Sequence, residues 1–68
     1  MREQGTVKWF NHARGYGFVA PDSGGVDVFV HYSEIRTDRR PTLDAEQRVE
    51  FAIRQGHKGP VAQKVRPL

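Results

Sequence analysis

The sequence predicts an all-β domain, folded as a closed or nearly closed barrel of five short strands. Three observations lead there. Short β-rich runs are punctuated by Gly, Pro and Asp, no stretch has the period of a long amphipathic helix, and the chain has only 68 residues. A barrel of short strands also removes the exposed edges that would otherwise invite aggregation.

The first strand is expected over Gly5–Asn11 and the second over Tyr16–Ala20. After a turn at Asp22-Ser23-Gly24-Gly25, a third runs over Asp27–His31, followed by a single 3₁₀ turn, Tyr32–Ile35. A polar loop from Arg36 to about Ala45 leads to the fourth strand, Gln47–Arg54. There Val49, Phe51 and Ile53 alternate with Arg48, Glu50 and Arg54. The fifth strand, Val61–Arg66, follows the Gly56–Pro60 turn. One domain, residues 1–68, is all that this length supports, and a chain so short buries only roughly 60% of its unfolded surface.

The sequence contains no Cys, which excludes disulfides and thiolate metal sites. No apolar run approaches a membrane span and no signal-peptide core follows Met1, so a cytoplasmic protein without membrane partners is expected. The net charge of +3 is unevenly placed. Gln4–Pro21 and Phe51–Leu68 contain no acid, and if they lie side by side they form a basic face suited to a polyanion.

Six of the seven aromatic residues fall between positions 9 and 32. In the third strand, Val28 and Val30 share one face while Phe29 and His31 share the other. In the second, Tyr16 and Phe18 oppose Gly15, Gly17 and Val19. The valines suit a core, which leaves the rings outside with Lys8 and Arg14 nearby. Alternate strand residues lie about 6.7 Å apart, a spacing that suits successive bases of an extended single strand. Base–ring stacking is worth roughly 1–3 kcal/mol per base.

The segments "GTVKWFN", "RGYGFV", "DVFVHYS" and "KGPVA" resemble, in order and spacing, the motifs of bacterial cold-shock proteins. The likeness covers essentially the whole chain. It implies a small five-stranded antiparallel OB-fold barrel that binds single-stranded RNA and single-stranded DNA and can act as an RNA chaperone. By position, the family's stacking residues fall on Trp9, Phe18, Phe29, His31 and Tyr32, with Tyr16 and Phe10 completing the platform. Its basic contacts fall on Lys8, Arg14 and Lys58, and its polar contacts on Asn11 and Asp27, able to hydrogen-bond base edges. Simple alternation would put Trp9 with Val7, away from the platform, so the resemblance requires a bulge in the first strand.

Three positions depart from the family's pattern. Arg40 stands where a loop aromatic is usual; its guanidinium either stacks on a base and meets phosphate, or is solvated in a mobile loop stiffened by Pro41. Glu46 replaces a Gly or Asn tolerant of positive φ, and Lys64 replaces a frequent Asn.

Other chemistries fit poorly. Gly15–Ala20 matches a dinucleotide fingerprint only formally, since Pro21 and Gly24-Gly25 replace the required helix. His12, His31 and His57 lack metal-ligand spacing, His12 and His57 reading as surface loop residues. Asp27, His31 and Ser33 contain the residue types of a hydrolase triad, crowded into seven residues without an oxyanion site. A monomer without enzyme activity, cofactor or small-molecule substrate is expected. The rival reading is a protein-interaction module that docks a partner on the aromatic face.

Overall fold

The structure, a computed structural model, describes residues 2–68. Five strands, β1 (Arg2–Asn11), β2 (Tyr16–Pro21), β3 (Val28–His31), β4 (Arg48–Gly56) and β5 (Gly59–Pro67), close into a barrel in the order β1-β2-β3-β5-β4. One 3₁₀ turn, Tyr32–Glu34, follows β3. The expected elements are all present, with β1 extended to Arg2 and β5 to both sides of its expected span.

The barrel is antiparallel, as expected, in four of its five neighbouring strand pairs. β3 and β5 run parallel, joined at Phe29–Val61 and again just beyond β3 at Ile35–Val65. The reason is arithmetic. Strand directions cannot alternate all the way round a closed ring of five, so one neighbouring pair must be parallel. That pair needs a long connection, and here β4 and two loops separate its strands in sequence.

The interior is mostly valine. Val7 pairs with Val19, and Val19 with Val28, each turning an essentially inaccessible side chain inward. Val49 and Phe51 contribute from β4, Ala62 and Val65 from β5. Leu43 is also completely buried, although it lies in the segment expected to be a polar loop. It plugs the barrel from outside the strands.

Two bulges adjust the register. Val7 pairs with Val19, but Trp9 with Phe18, so Lys8 is an extra residue in β1. This is the bulge that the placement of Trp9 required. In β5 a second shift sets two residues, Lys64 and Val65, against Phe51 alone. Lys64 takes φ 50 there, and Glu46, just before β4, takes φ 69. Both are left-handed backbone conformations occupied by side chains that resist them, at a cost of about 1–2 kcal/mol each. Glu46→Asn is therefore expected to stabilise the barrel by about 0.5–1 kcal/mol and raise its melting midpoint by roughly 2–8 °C. An unchanged midpoint would show that the Glu46 backbone carries no strain.

Gly17 has no such φ, yet a Cβ there would lie 2.2 Å from the Trp9 carbonyl oxygen. Its role is close approach of β1 to β2.

Away from the aromatic face, the Arg48 guanidinium donates to both Asp22 carboxylate oxygens at 2.8 and 2.6 Å and to Thr6 Oγ1 at 2.9 Å. The hydrogen bonds to Arg48, helped by charge attraction and opposed by desolvation, hold Asp22 below its ordinary 3.8. The same contacts push Arg48 up. A carboxyl depressed by folding stabilises above its unfolded value, and that contribution is lost as pH falls through the folded value. Asp22→Asn should thus lower the melting midpoint slightly at neutral pH. The gap from the parent should close as pH falls below 3.8. A gap independent of pH would disprove the linkage.

No helix among the described residues is long and apolar enough to cross a membrane.

Candidate nucleic-acid interface

The alternation that fills the barrel with valine turns rings outward on the same strands. Phe18 and Phe29 face each other across β2 and β3, with ring centroids 5.7 Å apart and planes at 75°. Tyr16 stacks on Phe29 at 5.8 Å and 28°. The Lys8 bulge brings Trp9 to the same surface, 5.5 Å from Phe18 and 5.9 Å from Tyr16. Trp9 retains 44% of its exposure, and the other three rings are half-buried. Four rings thus support one another edge and face while leaving part of each open to a ligand.

A second pair continues the surface. His31 lies opposite Tyr16 in the register, and its ring sits 4.5 Å from that of Tyr32, which is 48% exposed. The backbone N–H of Ser33 donates to His31 Nδ1 at 3.3 Å, capping the 3₁₀ turn. With Nδ1 accepting, the ring N–H lies on Nε2, where it can donate. The Tyr32 N–H donates to the Gly15 carbonyl at 2.8 Å. Gly15 has φ +78, and a Cβ there would lie 2.5 Å from Tyr32 Cδ2. Only glycine meets both conditions, so Gly15 seats the Tyr32 ring.

The basic and polar residues expected here are placed less uniformly. Lys58, in the β4–β5 turn, walls an open groove of ≈ 550 Å³ with Tyr16, Phe18, Phe29 and Pro60. Asp27 borders the same groove and pairs with Lys8 at 3.2 Å. A phosphate at Lys8 must therefore compete with this carboxylate. Asn11 Oδ1 accepts the Arg14 N–H at 2.9 Å, and the Asn11 carbonyl accepts that of Gly15 at 2.7 Å, closing the β1–β2 turn. The Asn11 amide NH₂ and the second lone pair of Oδ1 remain for a base edge.

Phe10 is not brought together with the ring cluster. It pairs with Gly17, packs partly against the core, and contacts the His12 ring at 5.6 Å. It opens instead onto a neighbouring cleft bordered by Arg14, Tyr32 and Arg40. Arg14 and Arg40 have no ion-pair partner among the described residues, nor has Lys58.

Three features were not expected from sequence. Pro60 and Val61 enter the groove because β5 runs beside β3, a non-local pairing with no local signal. His12 is more than a surface histidine. Its Nε2–H donates to the Leu43 carbonyl at 2.9 Å and lies 3.5 Å from an Asp44 carboxylate oxygen, tying the long loop to the β1–β2 turn. His31 Nδ1 and Ser33 Oγ do meet, at 2.9 Å, but Asp27 is directed to Lys8 and completes no relay with them.

Comparison with known proteins matches residues 3–68 to the family described as the 'Cold-shock' DNA-binding domain. The chain is 54% identical over 65 residues to probable cold shock protein A of Mycolicibacterium smegmatis, covering 96% of this chain and 97% of that one. It is 61% identical over 59 residues to a cold shock protein of Arthrobacter globiformis, covering 87% and 88%. With the cold shock-like protein CspD of Escherichia coli it shares 52% identity over 66 residues, covering 97% and 89%. Among solved structures, Drosophila Unr CSD456 superposes with a TM-score of 0.81 at 29% identity. All of this chain is covered there, and 27% of the larger one.

Proposed function

The chain belongs to the cold-shock domain family of nucleic-acid-binding proteins, and from that premise we propose that its ring face binds single-stranded RNA and single-stranded DNA. One observation carries the reading. The four-ring cluster of Trp9, Tyr16, Phe18 and Phe29 stands outside a core that is complete without it. Bases stack on those rings and on His31 and Tyr32, with little regard to sequence because every base has a π-face. Lys58 and Arg14, and Lys8 once released from Asp27, neutralise phosphates and make binding salt-dependent. A duplex hides the faces of its bases, so this surface selects unpaired strands. By occupying them it keeps RNA from pairing, which is the work of an RNA chaperone.

The role is binding rather than catalysis, performed by a monomer in the cytoplasm, with the 1–68 domain as the whole binding unit. Titration of the protein with oligonucleotides, followed by Trp9 fluorescence, tests the proposal. Single strands should quench the emission with an affinity that falls as salt rises, and the matching duplex should compete poorly. No response to any single strand at low salt would reject it and favour a protein partner on the same face.

A further inference from the structure

The loop between the 3₁₀ turn and β4 carries Arg36, Arg39 and Arg40 across one end of the barrel. It is held at several points. The Arg36 N–H donates to the Val65 carbonyl at 2.7 Å, Leu43 is fully buried, and His12 grips the Leu43 carbonyl at 2.9 Å. Between these anchors, the Arg39 N–H donates to Thr37 Oγ1 at 3.2 Å and the Thr42 N–H to the Arg40 carbonyl at 2.8 Å. Residues 36–41, between these anchors, are exposed to solvent.

Arg40 and Thr42 form a wall shared by two clefts. On one side lies the cleft of ≈ 410 Å³ that reaches Phe10, Arg14 and Tyr32, continuous with the ring face. On the other lies a second, of ≈ 480 Å³, bordered by Thr37, Arg39, Asp44 and Gln47. Their lining chemistry differs. The first offers the aromatic rings of Phe10, His12 and Tyr32; the second has no aromatic ring and offers guanidinium, hydroxyl, amide and one carboxylate beside Pro67. That carboxylate, Asp44, is turned toward His12 at 3.5 Å. Neither Arg39 nor Arg40 has an ion-pair partner among the described residues, and Asp38, also unpaired, does not border the cleft. Thr42 Oγ1, in the shared wall, is buried without a hydrogen-bond partner.

We propose that this second cleft is a backbone-binding extension of the nucleic-acid site. A strand whose bases leave the rings at Tyr32 crosses the Arg40 ridge and lays a phosphate against Arg39, without reading a base. A guanidinium fork matches phosphate geometry, and the cleft lacks the aromatic rings that hold bases at Tyr32. The inference rests on the ring-face reading and lengthens its footprint.

The test is a length series of oligothymidylates from 4 to 12 nucleotides, a range of the order seen for one barrel of this kind. Affinity is measured against salt for the parent, Arg39→Gln, and the charge-matched control Arg2→Gln, whose residue pairs with Glu50 and borders neither cleft. For long strands, Arg39→Gln should lower affinity about threefold or more at low salt and reduce the slope of log K against log salt by about 0.7, the value for one lost phosphate contact. Its binding of the shortest strands that quench Trp9 should match the parent, which also shows that it is folded. Equal losses for short and long strands, no loss for long ones, or the same losses in Arg2→Gln would overturn the extension. If the parent's Trp9 responds to no strand, the ring-face reading fails and the extension with it.

Discussion

Phe18→Ala lowers single-strand affinity by about 1–3 kcal/mol, roughly 5- to 150-fold, in a barrel that remains folded. Phe18 stands at the centre of the ring cluster, touching Trp9 at 5.5 Å and Phe29 at 5.7 Å, and its ring borders the groove shared with Lys58. Its side chain points away from the core, so the truncation opens no interior cavity. It does remove a stacking surface and the edge contacts that orient two neighbouring rings, each such contact being worth about 0.5–1.5 kcal/mol. Because Trp9 loses a neighbour, calorimetry is the better readout than fluorescence. The salt slope separates stacking from charge: it should stay at the parent value, since no phosphate contact is lost. An affinity within twofold of the parent would remove Phe18 from the site, and a flattened slope would mean that the strand had changed its path.

Phe51→Ala is expected to unfold the chain or bring it to the edge of unfolding. Phe51 is the largest fully buried side chain, completely inaccessible at the middle of β4's inward face. Truncating such a ring costs about 3–5 kcal/mol, since the cavity left behind adds to the lost burial. A domain of this size has a total stability of about 3–10 kcal/mol. No disulfide offsets the loss, as the chain has no Cys. Denaturant melts should show the midpoint collapse, while Phe51→Leu, which keeps most of the volume, should remain folded with a smaller loss. A Phe51→Ala variant melting within about 1 kcal/mol of the parent would mean that the core repacks around the gap.

The two substitutions concern residues of one chemical type with opposite assignments, and alternation in the sequence tells them apart. Phe51 alternates with Arg48, Glu50 and Arg54 on a strand with one polar face. Phe18 and Phe29 alternate with valines that already make a core. That contrast alone assigns both faces of β2, β3 and β4, because side chains of a strand must point alternately in and out. The motifs quoted from the first three strands, taken with the family resemblance, extended the reading to Trp9 and Tyr32.

Trp9 also shows the limit of alternation. Its position depends on the Lys8 bulge, and a one-residue insertion inverts the pattern downstream while leaving no mark on composition. Phe10 follows the same inversion, and so faces Gly17 and the core rather than the ring cluster. Glu46 and Lys64 lie at the other extreme. Substitution at positions that favour Gly or Asn predicted strain at the first, and both have positive φ.

The amino-acid order by itself determined the element list, the two-faced strands and the aromatic character of the interface, all consequences of side-chain direction within a few consecutive residues. Only the tertiary structure decided what reaches that interface from far along the chain. The parallel pairing of β3 with β5 carries Pro60 and Val61 to the rings, Leu43 plugs the barrel from a loop, and His12 ties that loop beside Arg40. These arrangements come from closing a ring of five strands around a fixed interior volume. That is a condition on the whole chain, which no local stretch can express.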